Sequence, residues 1–163
     1  MERILVSSCL LGRPVRYDGA GKPVAGALFE GWRAAGRLVP FCPEVGGGLP
    51  VPRPPAEIVG GDGTAVLDGT ARVLTDNGQD VTEAFLRGAR LALDTAHRSG
   101  ARIAILKEGS PSCGSHRIYD GTFSGRSTAG DGVTAALLER EGLHVFSEND
   151  LPAVAALLAN LES

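Results

Sequence analysis

The sequence predicts an α/β fold in which a mostly parallel sheet has helices on both faces. Short apolar runs bounded by turn residues, such as residues 4–6, are typical of strands buried on both faces. Segments with apolar residues at helical spacing follow most of these runs, so strands and helices alternate along the chain. The length of 163 residues suits one compact unit, and we expect a single domain over residues 1–163.

The first part of the chain contains two predicted strands with a helix between them. Residues 4–6 form the first strand, and a polar, glycine-containing loop follows at residues 12–23. A helix is predicted over residues 24–36, with Gly36 at the position expected for its C-cap. Residues 38–42 have the pattern of a second strand, which ends at a proline and a run of glycines.

A small β-hairpin excursion is predicted in the middle of the chain. Residues 49–60 contain too many prolines for a helix or a central strand. Three short apolar segments, at residues 57–60, 64–68 and 71–75, are separated by Gly-Asp-Gly and Asp-Gly. These dipeptides are typical of tight turns between antiparallel strands, so we interpret all three segments as β structure.

The last part of the chain continues the alternation. A helix is predicted over residues 81–99, with Asp80 as its N-cap and Gly100 at its end. Residues 102–107 form the clearest buried strand, and a long loop runs from there to about Gly130. A helix, a strand and a closing helix follow at residues 132–141, 143–146 and 151–161.

Charge and hydropathy exclude two broad classes of protein. The formal net charge is −3, which argues against a protein that grips the nucleic-acid backbone, and we expect no intact nucleic acid as partner. No apolar run approaches the roughly 20 residues that span a bilayer, and the N-terminus lacks the features of a signal peptide. We therefore expect a cytoplasmic protein without membrane contact.

The three cysteines are the strongest functional signal in the sequence. Cys9 and Cys42 lie at the ends of the first two predicted strands, and Cys113 lies in the loop after residues 102–107. Because they are far apart in sequence and odd in number, a disulfide framework is not expected. The carboxyl ends of parallel strands meet at one edge of a sheet, where ligands bind, so we expect the three thiols to converge there.

Three convergent thiols have several interpretations. They could hold an iron–sulfur cluster, and a cubane with three protein ligands would leave one iron open for chemistry. They could hold zinc together with a water molecule, as in a hydrolase, or they could be buried structural thiols. A cluster could also serve a redox sensor that is not an enzyme. Glycines, prolines and polar residues beside the cysteines favour a functional site over a structural one.

Polar residues that flank the cysteines are candidates for catalysis. Glu44, in a Cys-Pro-Glu turn, could act as a general acid or base if it is buried, or it could be a solvated loop carboxylate. Ser110 and Ser112 could donate hydrogen bonds to a ligand, or they could cap the Ser-Pro-Ser turn.

Three sequence segments, in a fixed order, carry a resemblance to a known family: SSCLLG…VRYDG, FCPEVGGGLPVPRPPAEI and LKEGSPSCGS. Over about residues 3–150 the chain resembles the thiouracil desulfidase family. The resemblance implies a Rossmann-like, three-layer α/β fold. It implies a 4Fe–4S cluster on Cys9, Cys42 and Cys113, with one iron that the protein does not ligate. It also implies that Glu44 and Ser110 are catalytic in converting a pyrimidine C=S to C=O with release of sulfide.

The resemblance also guides the expected substrate. Relatives that act on thiolated tRNA have a second C-terminal domain, which this sequence lacks, so we expect a free thiouracil, thiouridine or thiouridine monophosphate and a role in tRNA catabolism. Basic groups near the cysteines would suit a phosphate, although they could equally be ordinary surface charges. The predicted substrate-binding residues are Ser8, Arg16, Tyr17, Asp18, Ser112 and His116.

Overall fold

The centre of the fold is a parallel sheet of four short strands. The structure is a computed structural model that describes residues 1–163. Across the sheet the strands stand in the order β2 (Leu38–Phe41), β1 (Ile4–Ser7), β5 (Ile103–Leu106) and β8 (His144–Ser147). All three neighbouring pairs are parallel, and every residue of the two central strands is buried. The predicted α/β fold with a parallel sheet is confirmed.

Helices cover both faces of this sheet. Helices α1 (Ala27–Ala34) and α6 (Leu151–Leu161) lie on one face, and α4 (Thr82–Ser99) and α5 (Val133–Arg140) lie on the other. Successive residues of a strand point to opposite faces, so Ile4 and Val6 join the first of these two cores and Leu5 joins the second. Burying each such side chain stabilises the fold by roughly 1.5–3 kcal/mol. No helix combines the length and the apolarity that a membrane crossing requires.

An antiparallel hairpin beside the sheet confirms the predicted β excursion, but not in every segment. Its strands are β3 (Ala56–Val59) and β4 (Arg72–Thr75). The strand predicted at residues 64–68 is wrong, because a short helix, α3 (Gly63–Leu67), occupies that position. The physical reason is a cap: the carboxylate of Asp62 accepts the backbone N–H of Ala65 at 3.1 Å and begins a helix where a turn was expected.

A second hairpin lies inside the region that the sequence predicts as a continuous loop. Its strands, β6 (Arg117–Tyr119) and β7 (Ser127–Ala129), have three residues each, which is too short for a periodicity to be recognised. The tip of the hairpin packs against β3 at Gly121, which has φ +89°. A Cβ there would lie 2.5 Å from the carbonyl oxygen of Ile58, so this close approach requires glycine.

The strand order creates a switch point at the carboxyl ends of β1 and β5. From β1 the chain continues to β2 on one side, and from β2 it crosses to β5 on the other side of β1. The connections therefore leave the two central strands in opposite directions and open a crevice between them, which is where open α/β sheets bind ligands. Cys9 and Cys113 follow these two strands.

Candidate functional site

A cavity of about 430 Å³ opens at this edge of the sheet, and all three cysteines line it. Cys9 lies in a single 3₁₀ turn (Ser8–Leu11) after β1. Cys42 directly precedes the short helix α2 (Pro43–Gly46), and Cys113 lies in the loop after β5. No three cysteine, histidine or carboxylate side chains are grouped tightly enough to hold one metal ion; the thiols instead border a shared space. The expected meeting of the cysteines at one edge of the sheet is found.

The cysteine thiols are all free, and their burial disfavours the thiolate form. Burial raises the pKa of Cys113 to about 12 and that of Cys9 to about 11, and it raises the pKa of Cys42 as well. The hydroxyl of Ser7 donates a hydrogen bond to the Cys113 sulfur at 3.2 Å. A metal that binds here would have to displace the thiol protons, since only thiolates are good ligands.

The Cys-Pro-Glu turn is held in place by α4. At Gly88 the backbone of α4 approaches α2 so closely that a Cβ would lie 1.9 Å from the carbonyl oxygen of Pro43. The guanidinium of Arg87, one position earlier on α4, donates to the carbonyl oxygen of Gly47 at 2.6 Å. Packing of α2 onto a long helix therefore fixes Glu44 relative to the sheet.

Glu44 lies at the centre of a polar network on the wall of the cavity. Its Oε1 accepts a hydrogen bond from Nε of Arg53 at 3.2 Å and forms an ion pair with Nη2 of the same guanidinium at 3.1 Å. Its Oε2 accepts from the hydroxyls of Ser112 at 2.8 Å and Ser110 at 3.3 Å. The side chain of Arg53 is only 5% exposed. Glu44 is therefore an oriented carboxylate, with one oxygen bound to a cation and the other directed at two hydroxyls, and not a solvated loop residue.

The two serines also shape the loop that carries Cys113. The Oγ of Ser110 accepts the backbone N–H groups of Ser112 and Cys113 at 3.1 and 3.2 Å, which is the turn-capping role considered for it. The carbonyl oxygen of Ser112 accepts the N–H of Thr134 in the first turn of α5 at 2.9 Å. Capping the turn and contacting Glu44 are thus compatible functions of Ser110.

The carboxylate of Glu108 organises the next part of this loop. Its Oε1 accepts the backbone N–H groups of Ser115, His116 and Arg117, each at 3.0 Å. Burial acts to raise the pKa of Glu108, but these hydrogen bonds outweigh it and hold the pKa at about 2. The hydrogen bond from His116 to Glu108, at 2.9 Å, raises the pKa of that histidine.

The structure brings most of the predicted substrate-binding residues to the cavity, but not all of them. Ser8, Arg16, Tyr17 and Ser112 line it. Asp18 does not, and instead accepts the N–H of Ala20 within its own loop at 2.9 Å. His116 does not line it either; its ring is exposed and forms a hydrogen bond with Glu108.

Several residues of the cavity were missed by sequence reasoning. Arg53 lies in the proline-rich stretch, where one arginine between prolines was the only available signal. Tyr119 and Phe123 belong to the second hairpin, whose strands the sequence did not reveal.

We expect Glu108→Gln to lower the free energy of unfolding by about 3 kcal/mol at pH 7. The pKa of Glu108 is about 2 in the folded protein and its ordinary value is 4.5. A lowered folded-state pKa gives a contribution that is complete above pH 4.5 and is lost as the pH falls from there towards 2. The difference between wild type and variant, measured by urea unfolding, should therefore shrink between pH 7 and pH 4.

A suitable control is Glu141→Gln, because Glu141 is an exposed carboxylate after α5. This control should leave the urea midpoint unchanged at both pH values. Equal stabilities of Glu108→Gln and wild type at pH 7 would contradict the role given to Glu108.

Comparison with known proteins agrees with this site. The 2-thiouracil desulfurase family model matches residues 4–150. The uncharacterized protein YbbK of Bacillus subtilis (strain 168) is 50% identical over 151 residues, which cover 91% of this chain and 97% of that protein. A solved structure of the 4Fe–4S-dependent thiouracil desulfidase TudS superposes with a TM-score of 0.89 at 53% identity, covering 98% of this chain and 99% of that one. The chain therefore belongs to the 2-thiouracil desulfurase family.

Proposed function

We propose that this protein removes sulfur from thiolated pyrimidines, replacing a ring C=S by C=O with water as the oxygen source and sulfide as the second product. The observation that supports this most directly is the shared cavity, in which three thiols from distant strand ends face an oriented carboxylate and two serine hydroxyls. Similarity to a 4Fe–4S-dependent thiouracil desulfidase over nearly the full chain supports it independently.

The donor set of the cavity fits a 4Fe–4S cluster. Thiolates are the usual ligands of such clusters, and Cys9, Cys42 and Cys113 would hold it. Because these are the only cysteines in the chain, a fourth iron would have no thiolate from this protein. When bound, such a cluster supplies a Lewis acid that attracts sulfur and polarises the ring carbon of a thiocarbonyl.

The protein's own side chains would carry out the proton transfers of the reaction. Arg53 holds Oε1 of Glu44, so proton transfer would use Oε2, which is in contact only with the neutral hydroxyls of Ser110 and Ser112. Through Oε2, Glu44 would accept a proton from the attacking water and later return it to the departing sulfur. Ser110, within reach of the same oxygen, would orient the pyrimidine ring by a hydrogen bond.

One unpaired cation supports a substrate with a phosphate group. Three basic side chains line the cavity, and two of them have carboxylate partners. Arg53 pairs with Glu44 at 3.1 Å and Lys107 pairs with Glu148 at 3.0 Å, which leaves Arg16 free to bind an anion. We assign Arg16 to the phosphate of thiouridine monophosphate, a product of tRNA breakdown, and hence assign the protein to tRNA catabolism.

The competing functions are a zinc hydrolase and a cluster-based redox sensor. Zinc protein is colourless, whereas a 4Fe–4S protein is brown with broad absorbance in the violet. A redox sensor would give no reason for the Arg53–Glu44–serine network, because sensing by a labile cluster involves no proton transfer. That network is the observation that favours an enzyme over a sensor.

The decisive experiment measures sulfide release by anaerobically reconstituted protein. The substrates are 2-thiouracil, 4-thiouridine and 4-thiouridine monophosphate, and we expect sulfide and the oxo pyrimidine in equal amounts. The monophosphate should have the lowest KM, because of Arg16. A brown protein that releases no sulfide from any of the three would contradict the proposed function.

A further inference from the structure

The exposed aromatic side chains of this protein are concentrated at the opening of one cavity. The chain has one tryptophan, two tyrosines and five phenylalanines. Among these, Tyr17, Tyr119 and Phe123 are exposed, by 37% to 46%, and all three line the cavity that contains the cysteines. Exposed apolar side chains that cluster around a concave site mark a place where a ligand binds.

The backbone at Phe123 is held in an unfavourable conformation. Phe123 is the one non-glycine residue with a positive φ, at 57°. For a bulky side chain this conformation costs on the order of 1 kcal/mol and persists only where the surrounding structure enforces it. Such strain is concentrated at sites where a ligand is bound.

Contacts from β3 hold the backbone of Phe123 in this conformation. The carboxylate of Glu57 accepts the backbone N–H groups of Gly121 at 2.9 Å and Phe123 at 3.2 Å. Within the tip, Asp120 accepts the N–H of Thr122 at 3.0 Å. The tip of the second hairpin is therefore fixed to a neighbouring strand, and the backbone of Phe123 is held in place at the cavity. A rigid aromatic side chain loses little entropy when it contacts a ligand.

Tyr17, the third of these aromatic residues, belongs to the loop after the first cysteine. The guanidinium carbon of Arg16 lies 6.0 Å from the centre of the Tyr17 ring, within the range of a cation–π contact. Tyr119 is the last residue of β6, next to the tip of the hairpin, and it lines the same cavity. The three rings thus belong to two separate chain segments on the border of one cavity.

We infer that Tyr17, Tyr119 and Phe123 form an aromatic rim that binds the planar ring of the pyrimidine by stacking. This inference rests on the proposed function for the identity of the ring. Stacking recognises the flat face of a base and not its exocyclic atom, so the rim holds the thio substrate and the oxo product about equally. Such uniform binding affects KM and leaves kcat nearly unchanged.

The test combines steady-state kinetics with calorimetric binding of uracil to the reconstituted protein. For Phe123→Ala and Tyr119→Ala we expect the KM for 2-thiouracil and the Kd for uracil to rise together, by roughly tenfold. The kcat should stay within about twofold of wild type. Phe123→Leu keeps most of the apolar volume but removes the aromatic face, and should raise both constants by roughly threefold.

Leu91→Ala is a matched control, since Leu91 is an exposed apolar residue on α4 that does not line the cavity. It should leave KM, Kd and kcat unchanged. Unchanged KM and Kd in both alanine variants would overturn the aromatic rim while leaving the desulfidase function intact, and so would a wild type that turns over 2-thiouracil but binds no uracil. A wild type that releases no sulfide, together with weaker uracil binding in both alanine variants, would contradict the proposed function and support the rim.

Discussion

Cys113→Ala is expected to lose the proposed 4Fe–4S cluster and to lower sulfide release by at least about 100-fold. Substitutions in the shell around metal ligands already cost 10–100-fold, so removal of a ligand itself sets the lower bound. The buried thiol of Cys113 also accepts a hydrogen bond from the hydroxyl of Ser7 at 3.2 Å, which would orient and stabilise a thiolate. No other cysteine can replace it, because the chain has only two more and both border the same cavity.

The measurement is iron and sulfide content, visible absorbance and sulfide release after anaerobic reconstitution. Val154→Ala is the matched control: Val154 is fully buried in the core on the other face of the sheet, so its truncation also leaves a small cavity but removes no thiol. The control should be less stable by about 1–3 kcal/mol yet remain brown and active. A brown Cys113→Ala protein with wild-type activity would show that Cys113 is a core residue and not a cluster ligand.

The convergence of the cysteines could be predicted from sequence because it follows from topology alone. Once residues 4–6, 38–42 and 102–107 are assigned to parallel strands, their carboxyl ends must share one edge of the sheet. The runs at residues 4–6 and 103–106 are continuously apolar, as is typical of the buried parallel strands β1 and β5. What the sequence could not show is that β1 and β5 are the two central strands, since strand order depends on how the crossovers pack.

The walls of the cavity were less predictable, because they depend on contacts distant in sequence. Arg53 meets Glu44 only because the proline-rich stretch folds back across α2, and no periodic pattern encodes this. The helix α3 begins at a single side-chain cap from Asp62, and the same Gly-Asp-Gly sequence is also typical of a tight turn. The tip around Phe123 is held by Glu57, 66 positions away, so its place at the cavity had no local signal.

Glu44→Gln is expected to lower kcat by roughly 10²–10⁴-fold, the usual contribution of a general acid–base group. The amide has the shape of the carboxylate and can still accept hydrogen bonds from Arg53 through its oxygen, but it cannot accept the proton of the attacking water. The KM and the absorbance of the cluster should stay close to those of wild type. Asp76→Asn serves as the control, because Asp76 is a second carboxylate that borders the cavity without a side-chain contact to Glu44, and should change kcat by less than about threefold.

Glu44→Gln could also lose activity because the fold is destabilised. The buried Arg53 allows this loss of stability to be separated experimentally from a loss of proton transfer. Neutralising Glu44 leaves the guanidinium of Arg53, 5% exposed, without its counter-charge, which should cost about 3 kcal/mol of stability. The double variant Glu44→Gln/Arg53→Met removes the uncompensated cation and should regain much of that stability. If Glu44 transfers protons, the double variant stays as inactive as the single one even though its fold is restored. Recovery of activity together with stability would show instead that Glu44 serves only to neutralise Arg53 and hold the loops around the cavity.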